Sequence, residues 1–192
     1  MKKHLLPTGT TVALMLVLAA CSWLPLPATI DLKARLGSQA SGTVHEEIGQ
    51  GEAGSVNFNH PTDEGECIDL SDADIPVTVE SARLHYNAEL NYDGPELSGR
   101  LTAQLYASPS ADDLWLAKNR VGPAVNLNLG NTETKLVGNA VLNTDQVSAI
   151  NERWLCWGLK VNGKDVTAPE SGEARIDYTV NDLRLSIRFS VI

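Results

Sequence analysis

The stretch Ser81-Ala-Arg-Leu-His-Tyr-Asn-Ala-Glu-Leu-Asn-Tyr92 decides the fold of this 192-residue chain. Apolar side chains stand at every second position of the stretch, and polar side chains stand between them. Successive side chains of a β-strand point to opposite faces, so this period of two predicts a strand with one buried face and one solvent-exposed face. Such a half-buried strand is typical of an antiparallel sheet.

Alternation continues on both sides of this stretch. After the turn residues Asp93-Gly94-Pro95, an alternating run over 97–107 predicts its antiparallel partner. The C-terminal alternation over 176–191 changes phase at Asn181-Asp182, which indicates either a two-residue turn, the interpretation we favour, or a bulge. Asn162-Gly163 predicts a further tight hairpin, because these residues accept the positive φ of a type I′ turn.

The remaining elements are short. Weaker alternation predicts strands over 30–36, 56–58 and 125–129. Only 143–151 has a helical pattern, in which Asn143 caps the first turn and Gln146 completes a capping box. Many short strands separated by turns, with neither a repeat nor a linker, indicate an all-β chain. We therefore expect a single antiparallel β-sandwich domain over 29–192, Ig-like in the loose architectural sense, and leave closure into a barrel open.

The start of the chain has the layout of a secretory signal. Lys2 and Lys3 precede an apolar run over 11–18, and small residues follow that run. A run of about ten residues is too short for the ~20 that a transmembrane helix needs. The run ends in Leu18-Ala19-Ala20-Cys21, which resembles the lipobox of bacterial lipoproteins.

The lipobox resemblance implies a processed and lipid-anchored protein. Residues 1–20 would be a signal peptide that is cut off before Cys21, which would then carry a diacyl group and an acylated amino terminus. Residues 21–28 would form a short, proline-containing tether. Ser22 resembles the residue that accompanies outer-membrane sorting, so we expect export to a bacterial membrane, the outer one if the organism has one. The alternative is an ordinary signal peptide with an incidental cysteine.

The charge balance limits the classes of partner. Without Lys2 and Lys3, 13 basic residues face 24 acidic ones, which gives the mature chain a net charge of −11. Such a surface repels nucleic acid and anionic lipid headgroups. We therefore expect no nucleic-acid partner. We also expect membrane contact through the acyl chains alone, because the sequence shows no basic patch to supplement them.

The cysteine count agrees with export. If lipid occupies Cys21, then Cys67 and Cys156 remain, and an oxidising compartment favours a disulfide between them. A closed loop of about 90 residues stabilises the fold by roughly 4–5 kcal/mol in the chain-entropy model. Two separate buried thiols are the alternative.

Two motifs resemble functional loops only in part. Gly49-Gln50-Gly51-Glu52-Ala53-Gly54 has the spacing of a dinucleotide-binding loop, but a strand follows it instead of a helix, which indicates an acidic surface loop. His45-Glu46-Glu47 lacks the second histidine of a zinc-protease helix. We expect His45, His60 and His85 at surface positions.

Neither a metal site nor an active site is marked by a complete motif. The acidic segment 63–74 could supply oxygen ligands to calcium, but it has no EF-hand spacing, and we favour a solvated loop. No nucleophile motif is present, although a triad assembled from distant residues stays open. We expect no cofactor and no enzymatic activity.

Tryptophans are the best candidates for contact residues. Trp154 and Trp157 fall on opposite faces of one predicted strand, and Trp115 is a further candidate in a separate segment. Both faces of that strand are apolar, which indicates either a central strand covered on both sides or one Trp left exposed as a binding anchor. The function we expect is a non-enzymatic binding or assembly module of the cell envelope with a protein partner. A carrier or sensor of a small apolar ligand is the alternative.

Overall fold

The chain folds into two antiparallel β-sheets that pack face to face, which confirms the predicted β-sandwich. The computed structural model describes residues 26–51, 54–61, 66–73, 75, 78–130 and 133–190. The predicted signal peptide, Cys21 and most of the predicted tether lie outside these residues. No helix of the described part of the chain is both long and apolar enough to cross a membrane.

Ten strands and two α-helices make up the described fold. The strands are β1 Leu26–Asp31, β2 Ser41–Ile48, β3 Gly54–His60, β4 Glu66–Asp69, β5 Thr78–Asp93, β6 Ser98–Ser108, β7 Arg120–Asn126, β8 Thr134–Val141, β9 Trp154–Thr167 and β10 Gly172–Ser190. The helices are α1 Lys33–Leu36 and α2 Thr144–Asn151, and two 3₁₀ turns cover Gly37–Ala40 and Ala117–Asn119. The first sheet has the order β1-β10-β5-β8, with β2 also pairing with β10. The second sheet has the order β3-β9-β6-β7, with β4 also pairing with β9.

The predicted strand at 81–92 is the centre of β5, and its alternation matches its burial. Every second residue from Ala82 to Tyr92, including Leu84 and Leu90, faces the core, and the residues that alternate with them face outward. The run at 97–107 is also a strand, β6, but it is not the partner of β5. β5 pairs with β10 and β8, while β6 pairs with β9 and β7 in the other sheet. Residues 94–97 therefore carry the chain from one sheet to the other, a connection that strand periodicity cannot distinguish from a hairpin.

The predicted hairpin at Asn162-Gly163 is wrong, because β9 runs straight through these residues. Asn162 pairs with Asn57 on one side and with Thr102 on the other, so the strand is held by two neighbours. A Cβ atom at Gly163 would collide with the side chain of Leu101, so this glycine allows close packing. The positive φ falls instead on Asp165, at 55°, where the register of the two flanking strands shifts.

The phase change at Asn181 is a bulge, so the favoured turn is wrong and its alternative is right. Val180 pairs with Ala88 and Asp182 pairs with Asn87, which leaves Asn181 as the extra residue in one continuous strand. The bulge lets both halves of β10 direct apolar side chains to the same core.

The shorter predictions have mixed outcomes. Residues 56–58 lie within β3, the strand expected at 125–129 is the earlier β7, and 30–36 divides into the end of β1 and the helix α1. The helix predicted at 143–151 is confirmed as α2, with the capping box between Asn143 and Gln146. Its inward residues Val147 and Ile150 are buried.

The predicted disulfide between Cys67 and Cys156 is confirmed. The two residues are directly opposite in the β4–β9 pair, with their Cα atoms 3.7 Å apart. Their neighbours Ile68 and Leu155 face the core, so the bond lies on the outer face of the second sheet. It ties the short edge strand β4 to the long central strand β9.

Candidate functional site

The outer face of β9 carries an exposed tryptophan beside the disulfide. Alternation directs Trp154, Cys156 and Gly158 outward. Trp154 is 48% exposed, whereas Cys156 is almost fully covered. Asp69 stands opposite Trp154 on β4, and the disulfide follows one pair further along. The backbone under Trp154 is therefore fixed by a sheet pairing and a covalent bond.

A loop folds over the same face at Gly158. A Cβ atom at Gly158 would lie 2.6 Å from Cη2 of Trp115 and 2.8 Å from Cδ2 of Leu114, so only glycine leaves room for both side chains. The ring of Trp115 also meets the ring of Tyr106 edge-on, with centroids 5.4 Å apart. The ammonium group of Lys160 lies 5.8 Å from the Trp115 centroid, within cation–π range.

Asn119 holds this loop in shape. Its buried Nδ2 donates to the carbonyl oxygen of Asp113 at 2.6 Å and to Oγ of Ser108 at 3.2 Å. The backbone amide of Leu116 donates to the carbonyl oxygen of Asp113 in the same turn. The side chain of Leu116 is 47% exposed. The loop thus presents a half-buried Trp115 and an exposed Leu116 on an ordered backbone.

We call Trp154, Trp115, Leu116 and the Cys67–Cys156 disulfide the outer aromatic surface. Trp154 and Gly158, on which Trp115 rests, are four residues apart on one strand, which is about 13 Å. Tryptophan combines a large apolar area with few rotatable bonds, so side chains of this kind dominate many binding interfaces. The arrangement can bind an apolar or aromatic group of another molecule.

Trp157, the third candidate, lies in the core. It is 2% exposed and its ring faces His60 and the first sheet, with ring centroids 5.9 Å apart. Its Nε1 atom is buried and has no hydrogen-bond partner among the residues that the structure describes. Of the two tryptophans on β9, Trp154 is therefore the accessible one. The strand is covered on both faces at Cys156 and Gly158 and open at Trp154.

The space between the sheets near Trp157 is almost filled. A void of about 10 Å³ remains among Tyr86, Leu105, Trp157 and Tyr178. That is about the volume needed for one water molecule, whereas small-molecule sites usually measure ~300–1,000 Å³. This void cannot hold a carried ligand, so the carrier alternative gains no support from it.

A polar cluster joins the two sheets at His60. The phase of β3 directs His60 inward with Val56 and Phe58, so the side chain predicted at the surface is in fact mostly buried, with 21% of it exposed. His60 Nε2 lies 2.7 Å from the hydroxyl oxygen of Tyr178 on β10. That hydroxyl is also 3.3 Å from the carbonyl oxygen of Gln39. Both contacts are satisfied if His60 donates to Tyr178 and Tyr178 donates to Gln39.

Burial determines the protonation of this cluster. Loss of water around the imidazole lowers the pKa of His60, and the carboxylate of Glu66, 3.9 Å away, opposes that shift. Burial, with a further contribution from Glu66, raises the pKa of Tyr178 to about 12. At neutral pH the pair therefore consists of a neutral imidazole and a neutral phenol.

The described part of the acidic segment forms ion pairs and turns. Asp72 is paired with the guanidinium of Arg35, which lowers the pKa of that carboxyl group. Asp69 accepts a hydrogen bond from the backbone amide of Ser71, which lowers its pKa as well. Within the described residues, no three His, Cys, Asp or Glu side chains are grouped so that they could hold a metal ion. The other residues of the acidic segment considered for calcium binding, 63–65 and 74, lie outside the described part of the chain.

The other two motifs lie on a strand and on the segment that precedes a strand. His45 is on β2 instead of a helix, and its Nδ1 lies 2.8 Å from a carboxylate oxygen of Glu173. Gly54, the last residue of the glycine-rich segment, begins β3, so the described residues that follow the segment form a strand and not the helix that a pyrophosphate site needs.

Comparison with known proteins gives no family. No protein-family model matches the chain, and no curated protein is similar to it in sequence. Among solved structures, a chain of infectious bursal disease virus (Gt strain) is similar at 12% identity with a TM-score of 0.36, over 88% of this chain and 38% of that chain. A carbohydrate-binding module specific for non-crystalline cellulose is similar at 14% identity and a TM-score of 0.32, over 72% of each chain. The empty capsid of Triatoma virus is similar at 19% identity and a TM-score of 0.30, over 77% of this chain and 91% of that chain. This chain thus spans less than two fifths of the bursal disease virus chain, and these likenesses are too weak to indicate a function.

The lowered pKa of His60 predicts a loss of stability in mild acid. Because the folded state resists protonation of His60, its contribution is complete above the unfolded pKa of about 6.5 and is lost as the pH falls toward the lower folded value. We expect the thermal unfolding midpoint to drop between pH 7.5 and 5.5. The substitution His60→Gln should flatten this dependence, whereas His45→Gln, at an exposed position, should leave it in place. Equal pH dependence in wild type and His60→Gln would show that another group is responsible.

Proposed function

We propose that this chain is a lipid-anchored protein of the bacterial cell envelope that acts by binding another envelope protein and not by catalysis. The observation that carries the binding role is the outer aromatic surface. There an exposed Trp154 stands on a strand that is fixed by two sheet neighbours and a disulfide. The anchoring role rests on the lipobox resemblance at Cys21.

Rigidity is what favours a binding role for this surface. A single exposed apolar side chain is ordinary on a protein surface and needs no explanation. Here, however, Trp154 shares its face with Trp115, which is held between Gly158, Tyr106 and Lys160. A preorganised aromatic surface loses little conformational entropy when a partner binds, and that raises affinity.

Position relative to the membrane also supports a protein partner. The first described residue, Leu26, is five positions from Cys21, so an extended tether spans at most about 18 Å. A domain held that close to a bilayer meets other envelope proteins at high effective concentration. Modest affinity at the outer aromatic surface would then suffice for a stable assembly.

The anchor is tested by replacing the lipid-accepting cysteine. The substitution Cys21→Ser removes the thiol that would carry the diacyl group, so we expect the protein to move from the membrane fraction to the soluble fraction. Metabolic labelling with a fatty acid should mark the wild type and not the variant. A wild-type protein that takes up no label, together with a variant that stays in the membrane fraction, would contradict the anchor.

The contact surface is tested by separating stability from binding. Trp157→Ala should lower the free energy of unfolding by about 3–5 kcal/mol, because it removes a large side chain from the core. Trp154→Ala should change the free energy of unfolding by less than about 0.5 kcal/mol, because the side chain is half exposed. It should nevertheless reduce the amount of the envelope protein that co-purifies from detergent-solubilised membranes.

Val137 provides the matched control. It is 57% exposed on β8 of the opposite sheet, so Val137→Ala removes an exposed apolar group outside the outer aromatic surface. We expect Val137→Ala to keep both stability and co-purification. A partner that is retained equally by the Trp154 and Val137 variants would place the contact elsewhere.

A further inference from the structure

Two arginines from distant parts of the chain meet on the outer face of the first sheet. Arg83 on β5 is opposite Ser186 on β10, and Arg188 on β10 is opposite Ser81 on β5. The arginines are thus diagonal neighbours on one face, roughly 7–8 Å apart at the backbone. Together with Pro27 and Val141 they line an open groove of about 370 Å³.

Among the described residues, no carboxylate forms an ion pair with either guanidinium. Arg83 donates instead to the amide oxygen of Asn139 at 2.8 Å. Several other cations of this acidic protein are paired: Arg35 with Asp72, Lys118 with Asp145, and Arg184 with Asp182. The groove is therefore a local positive site, bordered by two serine hydroxyl groups, on a strongly negative surface.

The groove lies at the end of the sheet where the chain enters the domain. Leu26 begins β1 opposite Phe189, one position from Arg188, and Pro27 borders the groove itself. Val141, opposite Arg83 at the end of β8, is 66% exposed, and Leu26 is 46% exposed. Within the described residues, this corner thus combines the exposed side chains of Pro27 and Val141 with two guanidinium groups that form no ion pair, and Pro27 is six residues from Cys21.

We propose that this basic corner, formed by Arg83, Arg188, Ser81, Ser186, Pro27 and Val141, docks on the anionic phospholipid surface of the membrane that holds the anchor. The proposal rests on the proposed lipid anchor at Cys21. Guanidinium groups bind phosphate oxygens in paired hydrogen bonds, and the serines add neutral donors. The rest of the acidic surface is repelled by the same lipids, so docking fixes the orientation of the domain. Membrane contact would then come from the protein as well as from its acyl chains.

Orientation is measured on the lipidated protein, extracted in detergent and reconstituted into vesicles. With Cys21 lipidated and the other two cysteines bonded, Val141→Cys provides a single free thiol for a fluorophore. His45→Cys provides the control label, because His45 pairs with Arg175, about 40 Å along β10 from Arg188. A quencher attached to lipid headgroups then reports which end of the sheet faces the bilayer.

The docking proposal predicts strong quenching at position 141 and weak quenching at position 45 in vesicles that contain phosphatidylglycerol. Pure phosphatidylcholine vesicles, or 1 M salt, should remove the difference, because the attraction is electrostatic. The double variant R83Q/R188Q should lower the ratio of docked to undocked protein by about fivefold for each charge removed. The matched control R100Q/K164Q removes two charges that face each other between β6 and β9, and it should keep the ratio.

The outcomes separate this proposal from the anchor. A protein that stays with both kinds of vesicle but is quenched equally at positions 141 and 45 overturns docking and leaves the anchor intact. A protein that leaves neutral vesicles contradicts the anchor, and binding to phosphatidylglycerol vesicles that depends on Arg83 and Arg188 would still support docking. A protein that binds neither kind overturns both.

Discussion

Pairing between β5 and β10 fixes the position of the other strands of the first sheet. It runs from Asp93 opposite Arg175 to Thr78 opposite Ser190, nearly the full length of both strands. β8 pairs with the free edge of β5, and β1 and β2 pair with successive segments of the free edge of β10. Their alternating side chains close the core against β6 and β9. The burial of apolar side chains from both sheets in this core is the main favourable contribution to folding.

The same core packing determines the outer aromatic surface through β9. Leu155, Trp157 and Leu159 face the core, so the period of the strand leaves Trp154 on the outside. The same face receives the disulfide and the loop that carries Trp115. A change of one residue in the register of β9 would exchange Trp154 and Trp157. The exposure of Trp154 is thus a consequence of core packing.

Local periodicity allowed the long strands and the helix α2 to be predicted, but not the shorter strands β2, β4 and β8, and not which strands pair. The alternation in 81–92 and 97–107 is the same whether the two runs pair or lie in different sheets, since each buries one face either way. Asn162-Gly163 is compatible with a tight turn, yet neighbours on both sides keep it extended. The phase change at Asn181 does not distinguish a turn from a bulge.

The site was predictable to a similar extent. The alternation of the strand placed Trp154 and Trp157 on opposite faces. It could not indicate which face is exposed, because residues distant in sequence cover Cys156 and Gly158. The inward position of His60 could have been predicted from the same alternation, since His60 lies two residues after Phe58 and four after Val56. The proximity of Arg83 to Arg188 could not be predicted, because about a hundred residues separate them in sequence and only the register of β5 against β10 brings them together.

The central claim is that this protein works through contact at the outer aromatic surface, and site-specific photo-crosslinking in intact cells tests it most directly. A photoreactive amino acid at position 154 should give one discrete adduct with another envelope protein, and the same group at position 137 should give none. Equal adducts from both positions, or an adduct from position 137 alone, would contradict the account.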